Sequence, residues 1–164
     1  LADLTGAMGI TKSSMYAAFG NKEQLFRKAV QRYAEGPASY ATRALREPTA
    51  RAVAEAFLRG AVRTTTSPGR PTGCLSVQGA LALSEQSRPA HDVLVGWRVD
   101  AGDQLEARFR RAVEEGDLPQ DADPGRLARF VMTMGFGIAV QAANGLRPDA
   151  LDEIADTALL AWPA

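Results

Sequence analysis

The first 25 residues, LADLTGAMGITKSSMYAAFGNKEQL, place two helical patterns on either side of a tight turn at Met8-Gly9-Ile10. A second break at Gly20-Asn21 precedes a third helix that opens on Lys22-Glu23-Gln24-Leu25. Two helices joined by so short a glycine-containing turn form a helix-turn-helix. Few other arrangements accept a stop, a reversal and a restart this close together.

The residues at the turn suit it. Gly9 sits where a helix must end and the chain reverse, a place that favours positive φ. Thr11 is a good N-cap, since its hydroxyl accepts an orphan backbone N–H. Ile10 before the cap and Met15 after it form a hydrophobic staple. Met15 and Phe19, four apart, face inward together, leaving Lys12, Ser13, Ser14, Tyr16 and Ala17 outward. In nucleic-acid-binding versions of this motif the second helix enters the major groove. A short polar face with a lysine, two serines and a tyrosine suits that position, bonding base edges and phosphates. Asn21 caps the third helix, with Gln24 at the reciprocal capping-box position. Lys22 opposes the helix dipole there, and a phosphate held by the helix N-terminus would compensate. Lys12, Ser13, Ser14 and Tyr16 are therefore the candidates to read the groove, and Thr11 and Lys22 to hold phosphates.

Gly9-Ile10-Thr11, then Ser13-Ser14-Met15-Tyr16, Phe19 and Asn21-Lys22-Glu23-Gln24-Leu25, resemble the DNA-binding signature of the TetR family of bacterial transcriptional regulators. The motif covers about the first 25 residues and is specific. Thr5 and Met8 stand where the family usually has alanine, and both enlarge side chains expected at a tight helix crossing. The resemblance also implies a further helix ahead of these, so the head expected here is the later part of a three-helix unit. On typical helix and loop lengths, about 25–35 residues are expected before Leu1.

Charge divides the chain. Residues 1–33 carry five basic side chains against Asp3 and Glu23, a net of +3 in a chain with no net charge, so the remainder nets −3. A basic head on an acidic body fits contact with nucleic acid at one end; ordinary surface scatter would give the same tally. A single cysteine excludes an intramolecular disulfide and a cysteine-built zinc cage. With only His91, no multi-histidine metal site is expected. Neither a metal nor an organic cofactor is expected. No stretch reads as a signal peptide or membrane span, which makes the cytoplasm the expected location and a membrane partner unexpected.

Helical spacing continues to the C-terminus without a strand pattern, so the expected fold is all-α. The division is a helix-turn-helix head with its connecting helix at 1–35 and an effector-binding and dimerisation body at 36–164. Gly36-Pro37 breaks the connecting helix. Helices are expected at 49–66, 74–85, 89–115, 124–144 and 148–162, with a loop at 66–73. Asp123-Pro124 is a helix start, cap then proline at the first position. Gly73-Cys74-Leu75 and the run from Glu115 through Pro124 resemble, more loosely, C-terminal domains of the same family.

Two functional surfaces follow for the body. The helix at 124–144 is apolar nearly all round, which requires burial on more than one side. Leu127, Phe130, Val131, Met134 and Ile138, with Leu151, Ile154, Ala158 and Leu159 of the last helix, are the expected homodimer interface. The family resemblance implies an effector cavity between the central helices. Phe57, Cys74, Val77, Gln78, Leu81, Trp97, Met132 and Phe136 are its candidate lining; plain core is the competing reading for each. Cys74 reads as a packed small hydrophobe or a redox thiol, and Gln78 as a ligand-orienting group or a backbone brace. No catalytic residue is assigned: Cys74 with His91 lacks a nucleophile pattern.

The expected function is thus a dimeric repressor that grips a palindromic double-stranded DNA operator and is released by a small-molecule effector. The alternatives are a small all-α enzyme and a ligand-binding dimer whose head only scaffolds.

Overall fold

The computed structural model describes residues 1–81 and 85–163, without the side chains of 80, 81 and 86. Among these residues every regular element is helical: α1 (Ala2–Met8), α2 (Lys12–Phe19), α3 (Lys22–Glu35), α4 (Tyr40–Ala44), α5 (Ala50–Thr65), α6 (Leu75–Leu81), α7 (Arg88–Glu114), α8 (Pro124–Ala143) and α9 (Pro148–Leu160). Short 3₁₀ turns at Pro37–Ser39 and Glu85–Ser87 lead into α4 and α7.

The head closes as its turn residues require. Gly9 takes φ 63°, and its N–H returns to the carbonyls of α1. Thr11 accepts the Ser14 N–H at 3.1 Å. Asn21 and Gln24 form both halves of the capping box at 2.9 Å. Met15 is buried, and Phe19 is half-buried on the same side of α2. The crowding expected at Thr5 and Met8 does not arise. Met8 points outward and is exposed, while the Thr5 hydroxyl folds back on the Ala2 carbonyl at 3.0 Å.

The body is built around α5. Val53, Ala54, Phe57, Leu58, Ala61 and Val62 are all buried, so α5 is covered by α4, α8 and α9 on successive faces. Its start is capped twice: Thr49 accepts from the Ala52 N–H, and the Asp117 carboxylate accepts the Ala50 N–H at 2.5 Å. Gly60 matters to α4. A Cβ there would lie 2.4 Å from the Tyr40 ring, so only glycine lets Tyr40 lie flat on α5 and meet Phe57 edge-on. Arg59 ties α5 to α9 through Asp152 at 2.8 Å and through Asp156.

A second, smaller cluster joins head to body. Val30 of α3 and Leu94 of α7 are buried together, flanked by Phe26, Leu75, Val93 and Trp97. Tyr33, one turn further along α3, meets Trp97 edge-to-face at 5.9 Å. Among the described residues no helix is long and apolar enough to cross a membrane.

Candidate DNA interface and effector cavity

All six residues expected at the DNA face are exposed: Thr11, Lys12, Ser13, Ser14, Tyr16 and Lys22. They divide by what already holds them. The Thr11 and Ser14 hydroxyls share a hydrogen bond at 2.9 Å while Thr11 caps α2, so both belong partly to the helix start. Lys12, Ser13, Tyr16 and Lys22 make no side-chain bond among the described residues. Their neighbours are engaged: Arg27 with Glu23 at 2.8 Å, and Lys28 with the Ala18 carbonyl and the Phe19 ring. The free donors therefore cluster at the N-termini of α2 and α3, where backbone N–H groups also point outward. Removing the Thr11 cap by Thr11→Ala is expected to lower unfolding free energy by about 1 kcal/mol, read as a urea-midpoint shift at constant slope.

A cavity of about 40 Å³ lies between α4, α5, α7 and α8, roofed by the start of α6. Six residues expected from sequence line it: Phe57, Cys74, Val77, Trp97, Met132 and Phe136. Gln78 does not. It is exposed and braces the preceding loop through the Thr72 carbonyl at 3.4 Å. The Leu81 side chain lies outside the described residues. Sequence reasoning missed Tyr40, Ser76 and Arg98, along with the small residues Ala38, Ala41, Ala101, Gly135 and Ala139 that make the space. Nothing in the sequence marked Tyr40, whose placement depends on Gly60.

One corner of the cavity is polar and reaches the head. The Tyr33 hydroxyl of α3 donates to the Cys74 sulfur at 3.7 Å, and Cys74 lies 3.2 Å from the Ser76 hydroxyl. Burial first, then the neighbouring thiol, pushes the Tyr33 hydroxyl well above its ordinary range. Burial does the same to Tyr40. Both therefore stay neutral donors at physiological pH. His91 instead faces its neighbour Asp92 at 3.1 Å, away from the cavity.

The residues expected at the dimer face divide by burial. Val131, Ile138, Leu151 and Leu159 are buried within the single chain, filling the seam where α8 and α9 pack on α5, while Ala158, also buried, borders the outer groove between α8 and α9 as well. Helical geometry sends these positions inward. Leu127, Phe130, Met134 and Ile154 remain half-buried, and the last three line an outer groove between α8 and α9.

Residues 51–158, the whole of this helical body except its first turns and last residues, match the family model described as tetracyclin repressor-like, C-terminal domain. The chain belongs to the TetR family of transcriptional regulators. Its backbone superposes with a TM-score of 0.93 on CifR, a TetR family transcriptional regulator whose cysteine mutant was solved with a 26-base-pair operator DNA. The two are 39% identical, over 99% of this chain and 86% of that one. A TetR regulator from Rhodococcus sp. RHA1 is 37% identical over 99% of this chain and 87% of its own, with a TM-score of 0.72. The repressor ComR of Escherichia coli K12 is 28% identical over 99% of this chain and 79% of its own length. The all-α expectation and the family resemblance read from the first 25 residues are thus borne out.

Proposed function

We propose that this protein is a homodimeric repressor that holds a palindromic operator through its two heads and lets go when a small molecule enters the body. The observation that carries the reading is the free polar face of α2 and the start of α3. Lys12, Ser13 and Tyr16 stand outward on a helix rigidly capped by Thr11, with Ser14 beside the cap and Lys22 one turn of chain away. That geometry presents side chains to base edges and phosphates together. CifR, built on the same backbone, was solved on operator DNA, and ComR is a repressor; both support the reading. The head and connecting helix, 1–35, form the DNA-binding unit, and 36–164 the sensing and dimerising unit. The protein works where the DNA is, in the cytoplasm.

The dimer uses what α8 and α9 leave uncovered: Leu127, Phe130, Met134 and Ile154. Two such faces, paired about a two-fold axis, make a four-helix bundle and set the distance between heads. That distance must match half-sites one helical turn or a multiple apart.

Release follows from the joint. A cavity of about 40 Å³ is far below the roughly 300–1,000 Å³ that encloses a drug-sized ligand. An effector therefore has to displace its walls. Trp97 and Cys74 are walls, and Tyr33 of α3 rests on both. Swelling the cavity shifts α3, re-spaces the heads and favours the DNA-free state by population shift.

Selection of bound DNA from a random pool by the full-length protein tests the first half. Enrichment of one palindrome is expected, with Lys12→Ala or Tyr16→Phe changing which bases are tolerated. A folded dimer that enriches nothing would leave the head a scaffold.

A further inference from the structure

The effector cavity contains an unmatched charge. Its walls are apolar except at Cys74, Ser76, Tyr40 and Arg98, and Arg98 is the one charged side chain among its described lining residues. The Arg98 guanidinium lies over the Phe136 ring, 5.8 Å from its centroid, and has no carboxylate or carbonyl partner among the described residues. Arg98 also borders an open groove of about 430 Å³ between α7 and α8 that holds Asp103 and Glu106, and Glu106 there is paired with Arg110 at 2.6 Å. Tyr40 repeats the pattern. It also lines the cavity; its ring packs on Phe57, and its hydroxyl has no hydrogen-bond partner among the described residues. The Ser76 hydroxyl, by contrast, is already engaged with Cys74.

Two unpartnered donors on one apolar cavity define a complementary ligand. We propose that the effector is a small organic anion, its apolar body seated among Phe57, Trp97 and Met132 and its carboxylate held by the Arg98 guanidinium and the Tyr40 hydroxyl. This rests on the reading of the cavity as the effector site. A guanidinium matches a carboxylate in a planar two-bond fork. Charge-assisted bonds of this kind are roughly twice as strong as neutral ones. Burial raises the Tyr40 pKa and keeps its proton, so it donates to an anion and does not repel it. A neutral ligand leaves the guanidinium with the Phe136 ring alone. An ammonium ligand meets like charge, so selectivity comes from repulsion as well as attraction.

Three probes with one apolar body test this: trans-cinnamate, cinnamyl alcohol and cinnamylamine. Affinity is measured by calorimetry, and location by fluorescence of Trp97, a cavity wall; Trp162 packs on Phe109 elsewhere in the core. Cinnamate is expected to bind roughly tenfold or more tighter than the other two. Arg98→Met, which keeps the side chain's length, should bring cinnamate down to the level of the alcohol and leave the alcohol unchanged. Tyr40→Phe should weaken cinnamate alone, by a smaller factor. If the alcohol or amine binds the native protein as well as cinnamate does, or if Arg98→Met keeps the preference, the anion assignment is wrong and the cavity stands. If none of the three binds or moves the Trp97 signal, the cavity itself is not the effector site and both readings fall.

Discussion

Replacing Phe109 with alanine is expected to lower the unfolding free energy by roughly 3–5 kcal/mol, the range for truncating a fully buried phenylalanine. Phe109 has no exposed surface. It lies on the inward stripe of α7 with Leu105 and Ala112, and meets Trp162 edge-to-face at 5.3 Å. Truncation removes the ring's transfer energy and leaves a void that α7, fixed along its length by α8, cannot close. Against a typical domain stability of about 5–15 kcal/mol, that is a large share. Phe136→Ala is the comparison. Phe136 is half-buried at the cavity mouth, so its removal should cost well under half as much. Urea melts of both variants at one fixed protomer concentration measure the difference, because dimerisation adds a concentration term. Equal losses, or a Phe109→Ala loss below about 1 kcal/mol, would mean that the α7–C-terminal packing does not carry the core.

The head was legible in sequence because local rules decide it. Gly9, Thr11, Asn21 and Gln24 act on backbone groups within four residues, and each does in the structure what its side chain predicts. The long helices were legible from periodicity, with ends displaced by only a few residues. What stayed hidden depends on distant partners. Residues 38–48 carry no periodic signal, yet α4 forms because Gly60 makes room for Tyr40. Asp117, read only as part of the run from Glu115 through Pro124, caps the far helix α5. The apolar surface of α8 announced burial on several sides but could not divide it between α5 and a second subunit. Val131 and Ile138 went to the protomer core, Phe130 and Met134 to the outer groove. In the cavity, the large residues could be guessed from their helices, while the alanines and glycine that leave the space could not.

Lys22→Ala should weaken DNA binding by a similar factor on every sequence and flatten its salt dependence. Lys22 is the first residue of α3, exposed and without an ion pair among the described residues. A cation there opposes the helix dipole, so it does not stabilise the fold, and its removal should leave the melting midpoint unchanged or slightly raised. Glu23 beside it would repel a phosphate, but Arg27 holds that carboxylate at 2.8 Å. The capping box occupies Asn21 and Gln24, leaving the N–H groups of Lys22 and Glu23 without a partner inside the helix, beside the lysine. Each phosphate contact contributes about 0.9 to the slope of log K against log salt, so losing one from each of two heads should reduce it by roughly 2. Lys12 and Tyr16, set on the groove face of α2, should behave differently, changing sequence preference more than slope. A salt series on the selected operator and on unrelated DNA separates the two. An unchanged slope for Lys22→Ala would falsify the phosphate contact and move the DNA backbone away from the start of α3.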